Sequence, residues 1–289
     1  MCRLFGLSAA PYRVRATFWL LDAPDSLSEQ SRREPDGVGL GTFTADGVPV
    51  VEKQPVAAYR DAQFAREARE RESTTFIAHV RYASTGGLEV RNTHPFEQHR
   101  RLFAHNGVLH GLDDLEKELG SYLGLVHGDT DSERFFALIT QRIDSHRGDV
   151  SAGIADAVCW AADNLPVYAL NLILTTATEL WALRYPDTHP LYVLERPAGG
   201  ADGSSTLEQH TGRVGIRARS GALADHPAVV IASERMDSDP GWRELGSGEL
   251  LHVDADRRVD STVIRDSPPK NLLSLADLGA HAAASQAGR

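Results

Sequence analysis

The sequence predicts an α+β domain, in which strands and helices occur in separate runs. Strand-like segments occur before residue 110, two helical segments follow between residues 131 and 164, and strand-like segments resume at Tyr168. This order favours stacked layers of sheet and helix over a series of βαβ units. We expect one large domain over residues 2–266 and a C-terminal tail, 267–289, with a short helix. The alternative is two small α+β domains that meet near Pro166.

Short apolar segments bounded by turn residues predict the first strands. Cys2–Ala9 is mostly apolar and is followed by Pro11. A Pro-Asp pair and spaced glycines at 35–41 indicate a tight turn that leads into a strand through Phe43. Asp46-Gly47 then predicts a hairpin. Further strands are expected at 48–53, 74–82 and 102–109, and after the helices at 168–175, 179–184, 190–194, 214–217, 227–232, 249–253 and 261–265.

Helices are predicted where apolar residues recur with helical spacing. The clearest is 131–146, in which Phe135, Ile139 and Ile143 lie on one stripe. Residues 23–33 are polar and predicted as loop, and 197–212 is a loop rich in Gly, Ser and Asp. The other predicted helices are 14–22, 60–71, 112–119, 151–164 and 272–278.

Composition excludes several function classes. The net charge is −10 and no basic run occurs, which argues against nucleic-acid binding. Two cysteines, Cys2 and Cys159, cannot build a disulfide framework for a chain of this size. There is no signal-like segment and no apolar run that could cross a membrane, so we expect a cytoplasmic protein.

Cys2 is the first candidate for chemistry. If Met1 is removed, Cys2 becomes the N-terminus and carries a thiol and a free α-amine on one residue. The thiol ordinarily titrates near ~8.5 and the amine near ~8, so the amine can act as the local base for the thiol. The alternative is that Cys2 is only a small buried residue at the start of a strand.

Three further segments offer polar groups suited to a substrate. Arg81 ends an apolar strand, where its guanidinium could grip a carboxylate, and Ser84 and Thr85 supply donors beside it. Alternatively, it is a rim arginine paired with a structural acid. Asn106-Gly107 interrupts a strand and could supply the two donors of an oxyanion hole. The alternative there is an Asn-Gly hairpin turn.

The start of the clearest helix combines a cap with an additional carboxylate. Thr130 and Glu133 have the spacing of a capping box, which does not require Asp131. A carboxylate in the first helical turn stays ionised and could bind an ammonium group. His94 is interpreted as structural, because no spacing typical of a metal site accompanies it. Neither a metal nor an organic cofactor is expected.

Together these groups fit a substrate with an α-carboxylate and an α-ammonium, which is an amino acid. A thiol with an oxyanion hole performs acyl transfer at an amide. The combination predicts cleavage of an amino-acid side-chain amide, in glutamine or a γ-glutamyl compound.

Taken in order, the motifs resemble those of class-II glutamine amidotransferases, a branch of the N-terminal nucleophile hydrolases. The segments that carry the resemblance are Met1–Gly6, Asp36–Gly39, Arg81–Gly86, Asn92–Phe96, His105–Gly107, Thr130–Glu133 and Ala232–Glu234. The resemblance implies a four-layer αββα sandwich. It also implies Cys2 as nucleophile, Asn106 and Gly107 as oxyanion hole, Arg81 as ligand of the α-carboxylate and Asp131 as ligand of the α-ammonium.

The resemblance extends to about Val253, and Thr85 stands where the glucosamine-6-phosphate synthase branch carries a histidine. The chain is similar to stand-alone members such as the γ-glutamyl hydrolase of ergothioneine biosynthesis, because no synthase domain is expected after the glutaminase part. Two alternatives stay open. One is a glutaminase subunit that delivers ammonia to a separate synthase, and the other is a non-catalytic relative that binds γ-glutamyl compounds.

Overall fold

The computed structural model describes residues 2–83, 86–199 and 225–286. Two sheets lie face to face, and helices cover the outer face of each, which gives four layers in the order α, β, β, α. Both sheets are antiparallel except for one short parallel pairing at 271–272. The predicted α+β class and the four-layer sandwich are confirmed.

The first sheet has β1 near its centre, and its seven strands follow the order β11-β9-β10-β1-β4-β2-β3. The strand β1 pairs with β4 on one side, where Arg3 lies opposite Val80, and with β10 on the other. Its strands are β1 (Arg3–Ser8), β2 (Gly37–Phe43), β3 (Pro49–Gln54), β4 (Thr75–Arg81), β9 (Tyr192–Arg196), β10 (Ala228–Ala232) and β11 (Arg243–Glu244).

The second sheet follows the order β13-β12-β8-β7-β6-β5, and β14 pairs with the first two residues of β7. The strand β7 begins at Pro166 and pairs with β6, so the chain before and after Pro166 shares one sheet. Its strands are β5 (Phe96–Gln98), β6 (Arg101–Leu109), β7 (Pro166–Thr175), β8 (Leu180–Arg184), β12 (Glu249–Val253), β13 (Val259–Val263) and β14 (Asn271–Leu272).

The helices begin at residues suited to capping. The side chains of Ser26, Asp61, Thr130 and Asp149 each accept a hydrogen bond from a backbone N–H of the first turn. The α-helices are α1 (Leu27–Gln30), α2 (Ala62–Glu70), α3 (Leu112–Leu119), α4 (Asp131–Ser145), α5 (Val150–Asn164) and α6 (Ala280–Gln286). Shorter helical turns lie at Phe18–Asp22, Ala58–Arg60, Val90–Asn92, Gly120–Leu125 and Leu275–Asp277.

Three apolar layers hold the sandwich together. Leu4, Ile77 and Ile173 lie between the two sheets, and each is fully or almost fully buried. Trp19 and its neighbours cover the outer face of the first sheet, and Phe135 with the rest of α3–α5 covers the second. Burial of each such side chain stabilises the fold by about 1.5–3 kcal/mol. The apolar faces of the two sheets therefore pack against each other.

Some predicted boundaries were wrong for local reasons. The helix α1 lies in the predicted loop 23–33, because Ser26 caps a short turn there. The strand β6 runs through Asn106-Gly107 without interruption. The predicted helix 272–278 is a 3₁₀ turn, and the helix lies in the following alanine-rich stretch. The predicted strand at 214–217 lies outside the described residues. Among the helices described, none has the length and apolar character needed to cross a membrane.

Candidate active site

Cys2 lies immediately before the central strand β1 and is buried, with 7% of its surface exposed. The Tyr82 backbone N–H donates to its sulfur at 3.1 Å, and the thiol faces the Tyr82 carbonyl oxygen at 3.2 Å. Burial raises the pKa of the Cys2 thiol to about 11, although the Tyr82 backbone and the Arg81 charge act in the opposite direction. The thiol therefore needs a base to become a nucleophile near neutral pH.

The turn at Asp36 positions the backbone that meets Cys2. Arg81 ends β4, and its carbonyl accepts from the Asp36 N–H at 3.0 Å. The Asp36 carboxylate in turn accepts from the Ala83 N–H at 3.0 Å. The predicted Pro-Asp turn thus holds both sides of Tyr82, which fixes its N–H against the sulfur.

Asn106 and Gly107 approach Cys2 from the second sheet. The Asn106 side-chain nitrogen donates to the Cys2 carbonyl oxygen at 2.9 Å. Gly107 lies opposite Leu170 of β7. The Leu170 N–H points away from β6 and donates to the Tyr185 carbonyl oxygen at 2.6 Å. In an antiparallel ladder the Gly107 N–H must therefore point away from β7. It points to an edge that β5 does not cover, since β5 pairs only with residues 101–103.

Arg81 places a buried guanidinium beside the sulfur. Its Nη1 donates to the Gly87 carbonyl at 3.0 Å and its Nη2 to the Gly86 carbonyl at 3.4 Å. Burial lowers the pKa of Arg81 from its usual value, but an arginine stays charged. Asn92 ties this loop to the start of α4, because its side chain donates to Gly87 and accepts from the Asp129 N–H.

Asp131 lies in the first turn of α4 and is held there by the strand β6. Its Oδ2 accepts from the Leu109 N–H of β6 at 2.9 Å, and the residue is 2% exposed. Thr130 caps the helix by accepting from the Glu133 N–H. The Glu133 carboxylate bonds the Gly128 N–H at 2.6 Å, outside the helix. The cap predicted at Thr130 is present, and Asp131 is an additional buried carboxylate next to it.

Three buried histidines, His79, His94 and His105, line the same cleft as these groups. His105 has one fixed tautomer, because its Nε2 lies 3.2 Å from the Ala169 carbonyl and must donate to it. Its Nδ1 then accepts from the Ser132 hydroxyl at 3.0 Å. The rings of His79 and His94 are in contact, with their centroids 4.2 Å apart and their planes tilted by 37°. Burial lowers the pKa of all three, that of His79 to about 3.

These groups line one cleft. The structure brings Cys2, Arg81, Gly107 and Asp131 together at its walls, and Asn106 reaches it through the Cys2 carbonyl. Ser84 and Thr85, also predicted to bind substrate, lie outside the described residues. Within the described ranges, no group of three or more His, Cys, Asp or Glu side chains could hold a metal ion.

Sequence reasoning missed several residues of the cleft. The Tyr82 backbone contact leaves no trace in residue type, since any residue has an N–H. His79 and His105 carried a signal, because each is a polar residue inside an otherwise apolar strand. Ser132 could be read only as part of the helix start, although its hydroxyl orients His105.

Comparison with known proteins shows the family to which the chain belongs. Residues 1–272 match the sequence profile of the family described as glutamine amidotransferases class-II. An uncharacterized protein of Methanocaldococcus jannaschii is 38% identical over 235 residues, which cover 78% of this chain and 63% of that protein. The γ-glutamyl-hercynylcysteine sulfoxide hydrolase of Mycolicibacterium smegmatis is 28% identical, over 88% of this chain and 96% of that protein.

A solved structure shows the same fold. The glutamine phosphoribosylpyrophosphate amidotransferase of B. subtilis superimposes with a TM-score of 0.64 at 20% identity, over 92% of this chain and 50% of that one. The chain thus spans about half of the B. subtilis enzyme and 63% of the M. jannaschii protein, but nearly all of the mycobacterial hydrolase.

Proposed function

Because the chain belongs to the class-II glutamine amidotransferase family, we propose that it cleaves the side-chain amide of glutamine or of a γ-glutamyl compound, with Cys2 as nucleophile. The observation that carries this proposal is the single cleft lined by Cys2, Arg81, Gly107 and Asp131. A buried thiol, a backbone donor, a cation and a carboxylate at one point match an acyl-transfer site for an amino acid.

In the proposed mechanism, removal of Met1 makes the α-amine of Cys2 available as base. The amine, through a water, takes the thiol proton while the sulfur attacks the δ-carbonyl carbon. The carbon–nitrogen bond then breaks, and the protonated amine returns its proton to the leaving nitrogen. Water attacks the resulting γ-glutamyl thioester, the carbon–sulfur bond breaks, and the thiol recovers its proton. The raised pKa of Cys2, about 11, is the reason a neighbouring base is required.

Asn106 and Gly107 are proposed to stabilise the tetrahedral oxyanion. One N–H of the Asn106 amide is used on the Cys2 carbonyl, which fixes the amide in place. Its second N–H and the outward Gly107 N–H supply two donors, and loss of one such donor typically costs about 10²–10³-fold in kcat.

Arg81 and Asp131 are proposed to bind the amino-acid end of the substrate. The guanidinium is buried and oriented by two backbone carbonyls, so a carboxylate can meet it without reorganisation. Asp131 is oriented by the Leu109 N–H, and its carboxylate is proposed to bind the α-ammonium. Ser84 and Thr85 remain predicted donors beside Arg81.

The leaving group distinguishes two versions of the function. The mycobacterial relative, which the chain covers almost completely, is named as a hydrolase of a γ-glutamyl compound, and this favours direct hydrolysis. The B. subtilis enzyme, of which the chain covers half, favours the alternative in which ammonia passes to a separate synthase. The cytoplasm stays the predicted compartment on the composition argument, with Cys2 and Cys159 both free thiols.

The test combines intact mass with a hydrolysis screen on glutamine and several γ-glutamyl amides. We expect a mass that lacks Met1 and fast turnover of one γ-glutamyl amide. Cys2→Ala should abolish turnover, whereas the matched control Cys159→Ala should retain it. Turnover of glutamine alone, slow and stimulated by a synthase, would favour the ammonia-delivering alternative. Wild-type turnover by Cys2→Ala, or retained Met1 in protein from the native host, would falsify the catalytic proposal.

A further inference from the structure

The proposed mechanism does not use the contacting pair His79 and His94. Both rings line the cleft that contains Cys2, and both are buried, at 0% and 5% exposed. Neither nitrogen of either ring has a hydrogen-bonding partner of ordinary geometry among the described residues. Buried polar groups in folded proteins are normally paired with protein or with ordered water. Four such atoms at one cleft indicate that the pair serves a molecule in the cleft.

The backbone around His94 is held rigidly. A Cβ on Gly39 would lie 2.0 Å from the His94 carbonyl oxygen, so β2 approaches this segment as closely as a glycine allows. Lys53 donates to the Pro95 carbonyl at 3.3 Å, and the Phe96 ring meets the His94 ring edge to face at 4.7 Å. These contacts hold the His94 segment in place where it lines the cleft.

His79 braces this ring from the neighbouring strand. It lies two residues before Arg81 on β4, so both side chains leave the same face of the sheet. Its ring contacts the His94 ring at a tilt of 37° and lies beside the His105 backbone, but not in hydrogen-bonding geometry. Desolvation and the nearby Arg81 charge lower the pKa of both rings, so they are neutral near pH 7. A neutral imidazole offers one donor and one acceptor.

We propose that His94, braced by His79, holds the water molecule that hydrolyses the γ-glutamyl thioester on Cys2. The proposal rests on the function proposed above and assigns its second half-reaction. The water oxygen bonds to the thioester carbon, the carbon–sulfur bond breaks, and the water proton passes through the Cys2 amine to the leaving thiolate. His94 accepts a hydrogen bond from the water throughout and keeps its own protonation state. Such a neutral acceptor orients the oxygen lone pair without competing for the proton.

The experiment measures how the acyl-enzyme partitions between two acceptors. Glutamine and γ-glutamyl p-nitroanilide are the probes, with hydroxylamine added as a second nucleophile that converts the thioester to a hydroxamate. For His94→Phe we expect water-dependent release of glutamate to fall roughly tenfold to hundredfold, the range typical of lost positioning. Hydroxamate formation should stay near the wild-type rate, because free hydroxylamine is strongly nucleophilic and does not need the imidazole. The acyl-enzyme should accumulate and be visible by intact mass.

Two variants provide the comparison. His94→Gln keeps an amide donor and acceptor and should recover part of the hydrolysis rate. His252→Phe makes the same ring change at a stacked histidine of β12, which contacts Trp181 and Glu179 away from the cleft, and should partition like the wild type. A structural role for His94 would lower both reactions together.

The outcomes separate the two proposals. Absence of both glutamate and hydroxamate with wild-type enzyme contradicts the proposed function itself. A wild-type enzyme that forms both, with an unchanged ratio in His94→Phe, overturns the water-holding role alone. A crystal structure of Cys2→Ser gives a readout independent of turnover. We expect an ordered water within hydrogen-bonding distance of a His94 nitrogen, and density without one there would refute the assignment.

Discussion

Gly107 is the position at which one added methyl group should damage both the fold and the chemistry. A Cβ there would lie 1.8 Å from the Ala169 carbonyl oxygen and 2.7 Å from the His105 Nε2. That carbonyl accepts from the same His105 nitrogen, next to the irregular register of β6 and β7 at Val108 and Leu109. The substitution Gly107→Ala therefore pushes apart a hydrogen-bonded pair.

The cost follows from the geometry. Ordinary contact begins near 3.4 Å, so the carbonyl must retreat by more than 1 Å. Overpacking of this kind costs about 1–3 kcal/mol. A buried carbonyl that loses its partner adds about 1–3 kcal/mol. Together these predict a loss of roughly 2–6 kcal/mol in the free energy of unfolding, which for a domain of this size lowers Tm by about 3–10 °C.

The assay compares Gly107→Ala with Gly124→Ala, because a Cβ at Gly124 would meet no atom within 4 Å. Thermal unfolding should show the large loss for the first variant and a change within about 0.5 kcal/mol for the second. In the folded fraction, kcat of Gly107→Ala should fall about 10²–10³-fold as the N–H donor is displaced. Equal Tm values for the two variants would refute the close approach of β6 and β7.

Two further predictions concern charge. Burial lowers the pKa of His79 to about 3 and of His189 to about 4, so the unfolded chain binds their protons first as the pH falls. The free energy of unfolding should be highest above pH 6.5. Between pH 6.5 and 5 it should fall by about 2 kcal/mol for each of the two histidines. Urea midpoints that do not change over this range would contradict it, and His189→Gln should give a shallower loss. Asp131→Asn can still accept from the Leu109 N–H, but should raise KM about 10–100-fold for a γ-glutamyl amide. It should leave KM for the des-amino analogue unchanged, and equal effects on both substrates would exclude an ammonium contact.

The fold was predictable where local pattern and packing agree. The helix α3 occupies the predicted residues 112–119, and β10 and β12 lie within a residue of their predicted ranges. The strands β5, β11 and β14 are two or three residues long, too short for any periodicity to develop. Asn106-Gly107 was predicted to interrupt its strand because an isolated Asn-Gly pair favours a turn. Tertiary pairing with β7 overrides that preference.

The polar residues of the site show a different limit. Residue type alone pointed to Cys2, Arg81 and Asp131, because their functional groups are specific to an amino-acid substrate. His94 was interpreted as structural because no spacing typical of a metal site accompanies it. Its ring is buried as that view expects, yet its nitrogens have no protein partner among the described residues. Whether a buried polar side chain is satisfied depends on atoms brought in from β2, β4 and β6 together, which no local window of sequence contains. The unsatisfied ring is thus the feature of this cleft that only three-dimensional structure can reveal, and it is the one that points to a role for water.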